Sequence, residues 1–201
     1  MARRKNTIGV TWGDNPASRQ VVREAALSCF RQYGVHRTSM ADIAEAADIS
    51  RKTLYRVFAD RTALIEHLIA YRLAELGTSI REKVRGFKDF ETALIDGPIA
   101  TVALGQEDPL FVEIILAATN HRSEQFLHRG NPQIISHMNE TWFPVLEEGR
   151  KQGIVRKELS NERIVEIIMH MQLLLWMGDD LGPAEQRSLM RDVLWPAVTY
   201  A

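Results

Sequence analysis

The sequence predicts an all-α protein in which a small N-terminal domain of three helices precedes a larger helical domain. Apolar residues recur at spacings of three and four along most of the chain, as they do on the buried face of a helix. Gly, Pro and Asn separate these segments at the lengths that helices usually have. With 201 residues, of which 45% are hydrophobic, the chain is long and apolar enough to bury a core.

The N-terminal domain begins with an amphipathic helix predicted over Ser18 to Tyr33, which Gly34 ends as a C-cap. Two short helices follow within residues 38–61, and Asp48 lies in the tight turn between them. Small Ala44 lies where the two helix backbones must approach each other closely. Apolar residues stand where crossed helices would bury them, at Ile43, Ala47, Ile49, Leu54 and Val57. This spacing predicts a helix-turn-helix, a motif whose second helix enters the major groove of DNA.

The second helix of this motif carries two different faces. Ser50 supplies the N-cap oxygen at its start. Leu54, Val57 and Phe58 form the face that packs on the preceding helices. The opposite arc carries donors that phosphates and base edges accept, namely Arg51, Lys52, Thr53, Tyr55 and Arg56. The alternative is a solvated basic face on an ordinary helical hairpin, which the agreement of cap, turn and apolar spacing disfavours.

The net charge of −1 conceals a difference between the two ends of the chain. Residues 1–61 contain 11 Lys/Arg and 6 Asp/Glu, a balance of +5, whereas residues 62–201 contain 14 and 20, a balance of −6. A basic N-terminal end is what attraction to phosphate requires. Arg3, Arg4 and Lys5 add a basic arm to this end, and its contact with DNA is left open.

Several functional classes are disfavoured. Cys29 is the only cysteine, which excludes an intramolecular disulfide, and its apolar neighbours predict a buried side chain. The chain contains no HExxH, GxSxG, Walker or GxGxxG motif, so we expect neither an enzyme nor a cofactor. His121, Glu124 and His128 share a helix face, but a solvated face is favoured over a metal site there. No apolar run reaches the length of a membrane span, and no signal peptide is evident, so the cytoplasm is expected.

The stretch from about Arg19 to Ile69 resembles the DNA-binding domain of the TetR (tetracycline-repressor-like) family of bacterial transcriptional regulators. The matching segments are YG at 33–34, TSMADIA at 38–44 and ISRKTLYRVF at 49–58, followed by Arg61, Leu64 and Ile65. Two positions depart from the family pattern. Asp48 replaces the usual glycine of the turn, where we expect modest strain and a side chain facing away from DNA, and Arg61 replaces the usual lysine.

The resemblance implies a regulator of transcription, most simply a repressor that a small molecule releases from a pseudo-palindromic operator in double-stranded DNA. The implied parts are a disordered basic arm (1–15), a helix-turn-helix domain (16–61) and an effector-binding and dimerisation domain (62–201). Two alternatives stay open, namely a helical ligand-binding dimer without DNA binding and an activator of the same fold.

The resemblance also implies roles for individual residues of the motif. Ser39 and Tyr55 would donate hydrogen bonds to phosphates, and Arg61 would bind a further phosphate. The base edges would lie nearest to Arg51, Lys52 and Thr53, with Arg51 foremost, while Arg56 suits either use. Ser50 is counted among these DNA-contacting residues as well.

The larger domain is predicted to contain six helices, over residues 61–85, 88–105, 108–128, 131–151, 160–178 and 183–199. The last two are apolar on more than one face, and such a helix needs a second packing partner. The resemblance implies that these helices, at about 160–199, pair with their copies in a homodimer. The alternative is that they pack only on the core of their own chain.

The middle helices of the larger domain are expected to hold the effector, in a pocket that is mostly apolar with a few polar groups. Candidate lining residues at inward spacings are Phe111, Ile115, Thr119, Met138, Trp142 and His170. Their apolar and aromatic character predicts a small hydrophobic or aromatic effector. For each of these residues, ordinary core packing is the alternative.

Overall fold

The computed structural model describes the backbone of residues 11–128, 131–178 and 181–200, and the side chains of these residues except 119–128. Regular structure in these ranges is helical, which confirms the predicted all-α class. None of the helices described is long and apolar enough to cross a membrane.

The helices follow one another as α1 (Pro16–Tyr33), α2 (Met40–Ala46), α3 (Arg51–Val57), α4 (Arg61–Arg85), α5 (Phe90–Gln106), α6 (Pro109–His128), α7 (Pro132–Lys151), α8 (Asn161–Met177), α9 (Pro183–Leu189) and α10 (Trp195–Val198), with a π-helical turn (Met190–Leu194) between the last two. From α4 to α8, the predicted ends lie within two residues of the observed ones. The Gly, Pro and Asn punctuation of the sequence therefore locates these helix ends well.

The chain divides into two compact units, the first ending at Leu68 and the second beginning at Ile69. We call them the head and the body. The division falls inside α4, whereas the sequence predicts a domain boundary between residues 61 and 62, at the N-terminal end of the same helix.

The head consists of α1, α2, α3 and the first part of α4 packed around a small apolar core. Its large, fully buried side chains include Val22, Phe30, Ile43, Leu54 and Leu64, and each such side chain stabilises the fold by roughly 1.5–3 kcal/mol relative to exposure. Cys29 is buried, as predicted. All four helices begin at a side chain that accepts a backbone N–H, namely Asn15, Ser39, Ser50 and Asp60.

The body is built around α8, which contacts α5, α6 and α7. Two glycines admit large aromatic rings into this core. A Cβ on Gly97 would lie 2.8 Å from the ring of Trp142, and a Cβ on Gly149 would lie 2.5 Å from the ring of Phe90. Both rings are buried, so the close approach of α5 and α7 depends on these two glycines.

The C-terminal end of the body differs from the prediction of one continuous helix over 183–199. The N–H of Trp195 bonds the carbonyl of Met190, five residues back, which makes the turn π-helical. Pro196 has no N–H, and its ring would clash with the carbonyl of Asp192 in a regular helix, which accounts for the wider turn. Beyond α10, Thr199 forms an isolated antiparallel bridge with Val155.

Candidate DNA interface and apolar pocket

The turn between α2 and α3 has the left-handed backbone that the sequence predicts. Asp48 has a φ of +54°, the positive value that glycine adopts more readily. The N–H of Ile49 bonds the carbonyl of Ala44 at 3.0 Å and closes the turn. Ala44 is itself buried, so a small residue lies where the two helices meet.

Helix α3 presents opposite faces to the core and to solvent. Leu54, Val57 and Phe58 are buried, as predicted. The exposed residues are Arg51, Lys52, Tyr55 and Arg56, while Thr53 is half-buried. In the part of the chain that the structure describes, no carboxylate forms an ion pair with the three cations of this group. We call Arg51, Lys52 and Arg56 the α3 cations.

The two serines that are expected to contact DNA, Ser39 and Ser50, are the N-cap residues of α2 and α3. Ser50 Oγ accepts from the N–H of Thr53 at 3.1 Å and lies 2.9 Å from its hydroxyl oxygen. Ser39 Oγ accepts from the N–H of Asp42 and donates to the Asp42 carboxylate at 2.8 Å. The hydrogen bonds from Ser39 hold the pKa of Asp42 below its usual value. Both serines are exposed, and their contact with phosphate stays a prediction.

Arg61 has a structural role that the sequence does not show. Its guanidinium donates to the carbonyl of Thr38 at 2.6 Å and to the carbonyl of Val35, and it lies 5.6 Å from the centre of the Phe30 ring. Burial lowers the pKa of this half-buried group. Arg61 therefore ties the loop between α1 and α2 to the start of α4. A phosphate contact by Arg61 stays a prediction.

His67 is a further half-buried group of the head. Its ring lies 5.1 Å from that of Phe58, and neither of its ring nitrogens has a hydrogen-bond partner among the described residues. Burial, together with the charges of Arg19 and Arg23, lowers the pKa of His67 to about 4. The imidazole is therefore neutral near pH 7.

A mostly apolar cavity of about 80 Å³ lies inside the body, between residues of α4, α5, α6, α7 and α8. Three of the six predicted pocket residues line it: Phe111, Ile115 and Met138. Trp142 is fully buried and His170 bonds the carbonyl of Glu166, and neither lines the cavity.

Several predictions fall outside the residues or side chains that the structure describes. They concern the basic arm (Arg3, Arg4 and Lys5), one pocket residue (Thr119) and the alternative metal site (His121, Glu124 and His128).

Helix α8 contributes more of the cavity wall than the sequence predicts. Met169, Gln172, Leu173 and Trp176 line the cavity at successive steps of three, one and three residues, which place them on one helical stripe. The sequence assigns α8 to dimerisation because it is apolar on more than one face. Both uses fit the observed helix, because Leu174 and Met177 lie outside this stripe and are 48% and 54% exposed.

Comparisons with known proteins agree with the geometry of the head. The family of bacterial regulatory proteins named tetR matches residues 22–68, which contain the helix-turn-helix. The HTH-type transcriptional repressor KstR2 of Rhodococcus jostii is 26% identical over 149 residues, covering 69% of this chain and 68% of that protein. The HTH-type transcriptional regulator BetI of Serratia proteamaculans is 27% identical over 81 residues. The match with BetI covers 40% of this chain and 41% of the length of BetI.

Solved structures extend the likeness of fold to the body. FadR of Thermus thermophilus, a TetR-family transcriptional repressor in complex with lauroyl-CoA, superposes with a TM-score of 0.65 at 20% identity. The superposition covers 88% of this chain and 92% of the FadR chain. RolR in complex with resorcinol superposes with a TM-score of 0.62 at 14% identity, covering 90% and 86%. Residues 22–68 therefore match the TetR family of bacterial regulatory proteins, and the fold of the chain is similar to that of solved TetR-family structures.

Proposed function

We propose that this protein is a dimeric, sequence-specific DNA-binding repressor that a small apolar molecule releases from a pseudo-palindromic operator. The proposal rests mainly on the α3 cations. They are exposed, they form no ion pair with the described residues, and they lie on a helix whose other face is buried. KstR2, a relative over two thirds of the chain, is named a repressor. A protein that binds an operator acts on the chromosome, and therefore in the cytoplasm.

The roles within the interface follow from the chemistry of each side chain. Arg51 lies in the first turn of α3, and a guanidinium can donate two hydrogen bonds to O6 and N7 of guanine. Lys52 and Thr53 would contact neighbouring base edges, while Arg56 reaches a base or a phosphate. The exposed hydroxyl of Tyr55 would donate to a phosphate.

Dimerisation through the C-terminal helices is supported by apolar side chains that solvent reaches. Leu174 and Met177 on α8 are exposed, and so is Val193 on the π-helical turn, at 43%. Helix α8 contacts this turn. Water-exposed side chains of this size gain stability when a second copy covers them. A twofold dimer also presents two recognition helices to the two halves of a pseudo-palindrome.

The effector is proposed to occupy the cavity of the body. The two similar structures hold resorcinol, an aromatic compound, and lauroyl-CoA, which carries an acyl chain. The wall of the cavity, largely of Ile, Leu, Met, Phe and Trp, suits apolar groups of that kind. For release to occur, the effector must bind the DNA-incompetent arrangement of the protein more tightly than the competent one.

Selection of duplexes from a random pool by the purified protein, at two salt concentrations, tests the proposal. We expect enrichment of a pseudo-palindrome and an affinity that falls steeply with salt, because bound cations displace counterions from the DNA. Absence of enrichment, or weak binding that salt does not change, would instead favour a ligand-binding dimer without DNA-binding activity. A reporter gene downstream of the selected operator then separates a repressor from an activator by the sign of its response.

A further inference from the structure

A buried polar group lies on the wall of the cavity of the body without a partner among the described residues. Gln172 lies on the cavity wall and is only 7% exposed. Its amide nitrogen, Nε2, is buried and has no hydrogen-bond acceptor among the residues the structure describes. A buried N–H group without a partner costs free energy and is uncommon in proteins, so this amide calls for a functional explanation.

Two other side chains on the described wall carry a polar atom, Thr101 and Trp176, and neither is among the buried atoms without a partner. Thr101 Oγ1 donates to the carbonyl of Gly97, one turn earlier in α5, at 2.9 Å. Trp142 and Asn139 also have unpartnered buried atoms, but neither residue lines the cavity. Among the residues the structure describes, Gln172 Nε2 is therefore the buried polar atom on this wall that has no hydrogen-bond partner.

The size and wall of the cavity set the scale of the ligand. Its volume of about 80 Å³ is smaller than the ~150 Å³ of an engineered cavity that binds benzene, so a ring-sized ligand must displace side chains. Met138 and Met169 supply unbranched, adaptable side chains for this. Phe111 and Trp176 meet edge-to-face, with ring centres 5.7 Å apart, and form an aromatic part of the wall.

We propose that the effector is an apolar molecule of about single-ring size that carries one oxygen acceptor, and that Gln172 recognises this oxygen by donating from Nε2. The terminal torsion of a glutamine side chain is broad, which lets the amide turn its nitrogen towards a ligand in the cavity. The hydrogen bond provides discrimination, because a ligand oxygen left unpaired in an apolar wall loses its hydration without replacement. This inference rests on the proposed function of the body as the effector site.

Acetophenone and isopropylbenzene are suitable probes, because they have the same number of heavy atoms and differ by a carbonyl oxygen in place of a methyl group. Their dissociation constants are measured by calorimetry or ligand-observed NMR with the full-length protein and with Gln172→Met, a substitution of similar length and volume. We expect Gln172→Met to weaken acetophenone about tenfold. Isopropylbenzene should bind the variant as well as it binds the wild type, which also shows that the variant is folded and its cavity intact.

Thr101→Val is the matched control on the same wall, since it removes a hydroxyl that already bonds its own helix. It should change the ratio of the two dissociation constants less than twofold. The proposal is overturned if Gln172→Met weakens the binding of both probes equally or of neither, if Thr101→Val selectively weakens the binding of acetophenone, or if the wild type binds neither probe.

Fluorescence anisotropy of the selected operator in the same samples reports DNA binding separately. If the two probes bind as predicted but the protein does not bind the operator, or acetophenone does not release it, the proposed repressor function is contradicted. The role of Gln172 would still be supported.

Discussion

The α3 cations of the head differ from a set of arginines in the body in the partners that they have. In the body, arginines of α4, α9 and the π-helical turn pair with carboxylates of other helices, as Arg81–Glu140 at 3.3 Å, Arg187–Asp96 at 2.7 Å and Arg191–Glu91 at 3.3 Å. The α3 cations of the head make no such pair with any residue that the structure describes. The charges of these three body arginines are therefore neutralised within the body, whereas those of the α3 cations are available to a polyanion.

The two units are alike in how an arginine fixes a loop. Arg61 donates to the carbonyls of Val35 and Thr38 in the head. In the body, Arg150 donates to the carbonyl of Leu159 and, at 2.8 Å, to Asn161 Oδ1, which fixes the loop between α7 and α8. Guanidinium groups thus serve a structural purpose in both units, and the feature peculiar to the head is a group of three cations without a described ion pair on one short helix, α3.

The largest effect is expected from Arg51→Ala. Loss of a bidentate contact to guanine should weaken binding to the selected operator by about 1–3 kcal/mol and relax selection at one base position. The stability of the protein should stay nearly unchanged, because the side chain is exposed and forms no described ion pair. Competition binding with operators altered at single positions measures the change.

Arg187→Ala is the matched control from the body, since it also removes one guanidinium. It breaks an exposed ion pair, for which little change in stability is expected, and it should leave operator affinity intact. Equal losses of affinity in the two variants would contradict the contrast between the units.

A second prediction separates structural support from phosphate binding at Arg61. Arg61→Ala should lower the free energy of unfolding by roughly 1–2 kcal/mol, because two loop carbonyls lose a charged donor and the group is half exposed. Arg61→Lys keeps the charge, but an ammonium group cannot reproduce the fork that spans both carbonyls, so we expect only partial recovery. Urea unfolding of the three proteins measures this. Unchanged stability in both variants, with operator affinity lost in Arg61→Ala and kept in Arg61→Lys, would instead identify a phosphate contact.

A third prediction concerns pH and the head. Because the pKa of His67 is about 4 in the folded protein and about 6.5 in an unfolded chain, the unfolded state takes up the proton first as the pH falls. The contribution of His67 to stability should therefore be constant above pH 7 and decline between pH 6.5 and 4, by about 1 kcal/mol after allowance for the half-exposed ring. Thermal unfolding across this range, compared with His67→Phe, isolates the contribution. Identical pH profiles for the two proteins would rule it out.

The smallest effect is expected at the turn of the helix-turn-helix. Asp48→Gly should raise the stability by roughly 0.5–1 kcal/mol, because glycine adopts the observed positive φ without strain. Asp48→Ala also removes the carboxylate but keeps a Cβ at the positive φ, so it serves as the control. A gain in stability from alanine equal to that from glycine would show that charge, and not backbone conformation, is the cause.

The features that the sequence predicts correctly depend on residues close together in the chain. The N-cap at Ser50, the left-handed turn at Asp48 and the buried face of α3 follow from spacings of a few residues. The features it misses depend on distant residues. Arg61 bonds carbonyls 23 and 26 residues away, and nothing near it in the sequence indicates this use.

The pocket shows the same limit. Phe111 in α6 and Met138 in α7 are predicted pocket residues, and both line the cavity. Gln172 is a polar residue within an apolar helix that the sequence assigns to dimerisation, and its place on the wall becomes visible only when five helices are assembled. The π-helical turn precedes Pro196, but Pro98 and Pro144 lie inside the α-helices α5 and α7, so a proline in the sequence does not by itself predict such a turn.

The salt dependence of operator binding in two matched triple variants tests the contrast between head and body most directly. One variant replaces Arg51, Lys52 and Arg56 by alanine, and the other replaces Arg81, Arg187 and Arg191, so each removes three positive charges. We predict that the first variant loses most of its affinity and has a shallower slope of log K against log salt, because fewer counterions are released. The second should keep the slope of the wild type. Equal slopes in both variants, whether shallow or unchanged, would contradict the conclusion that the α3 cations bind the phosphates and bases of the operator.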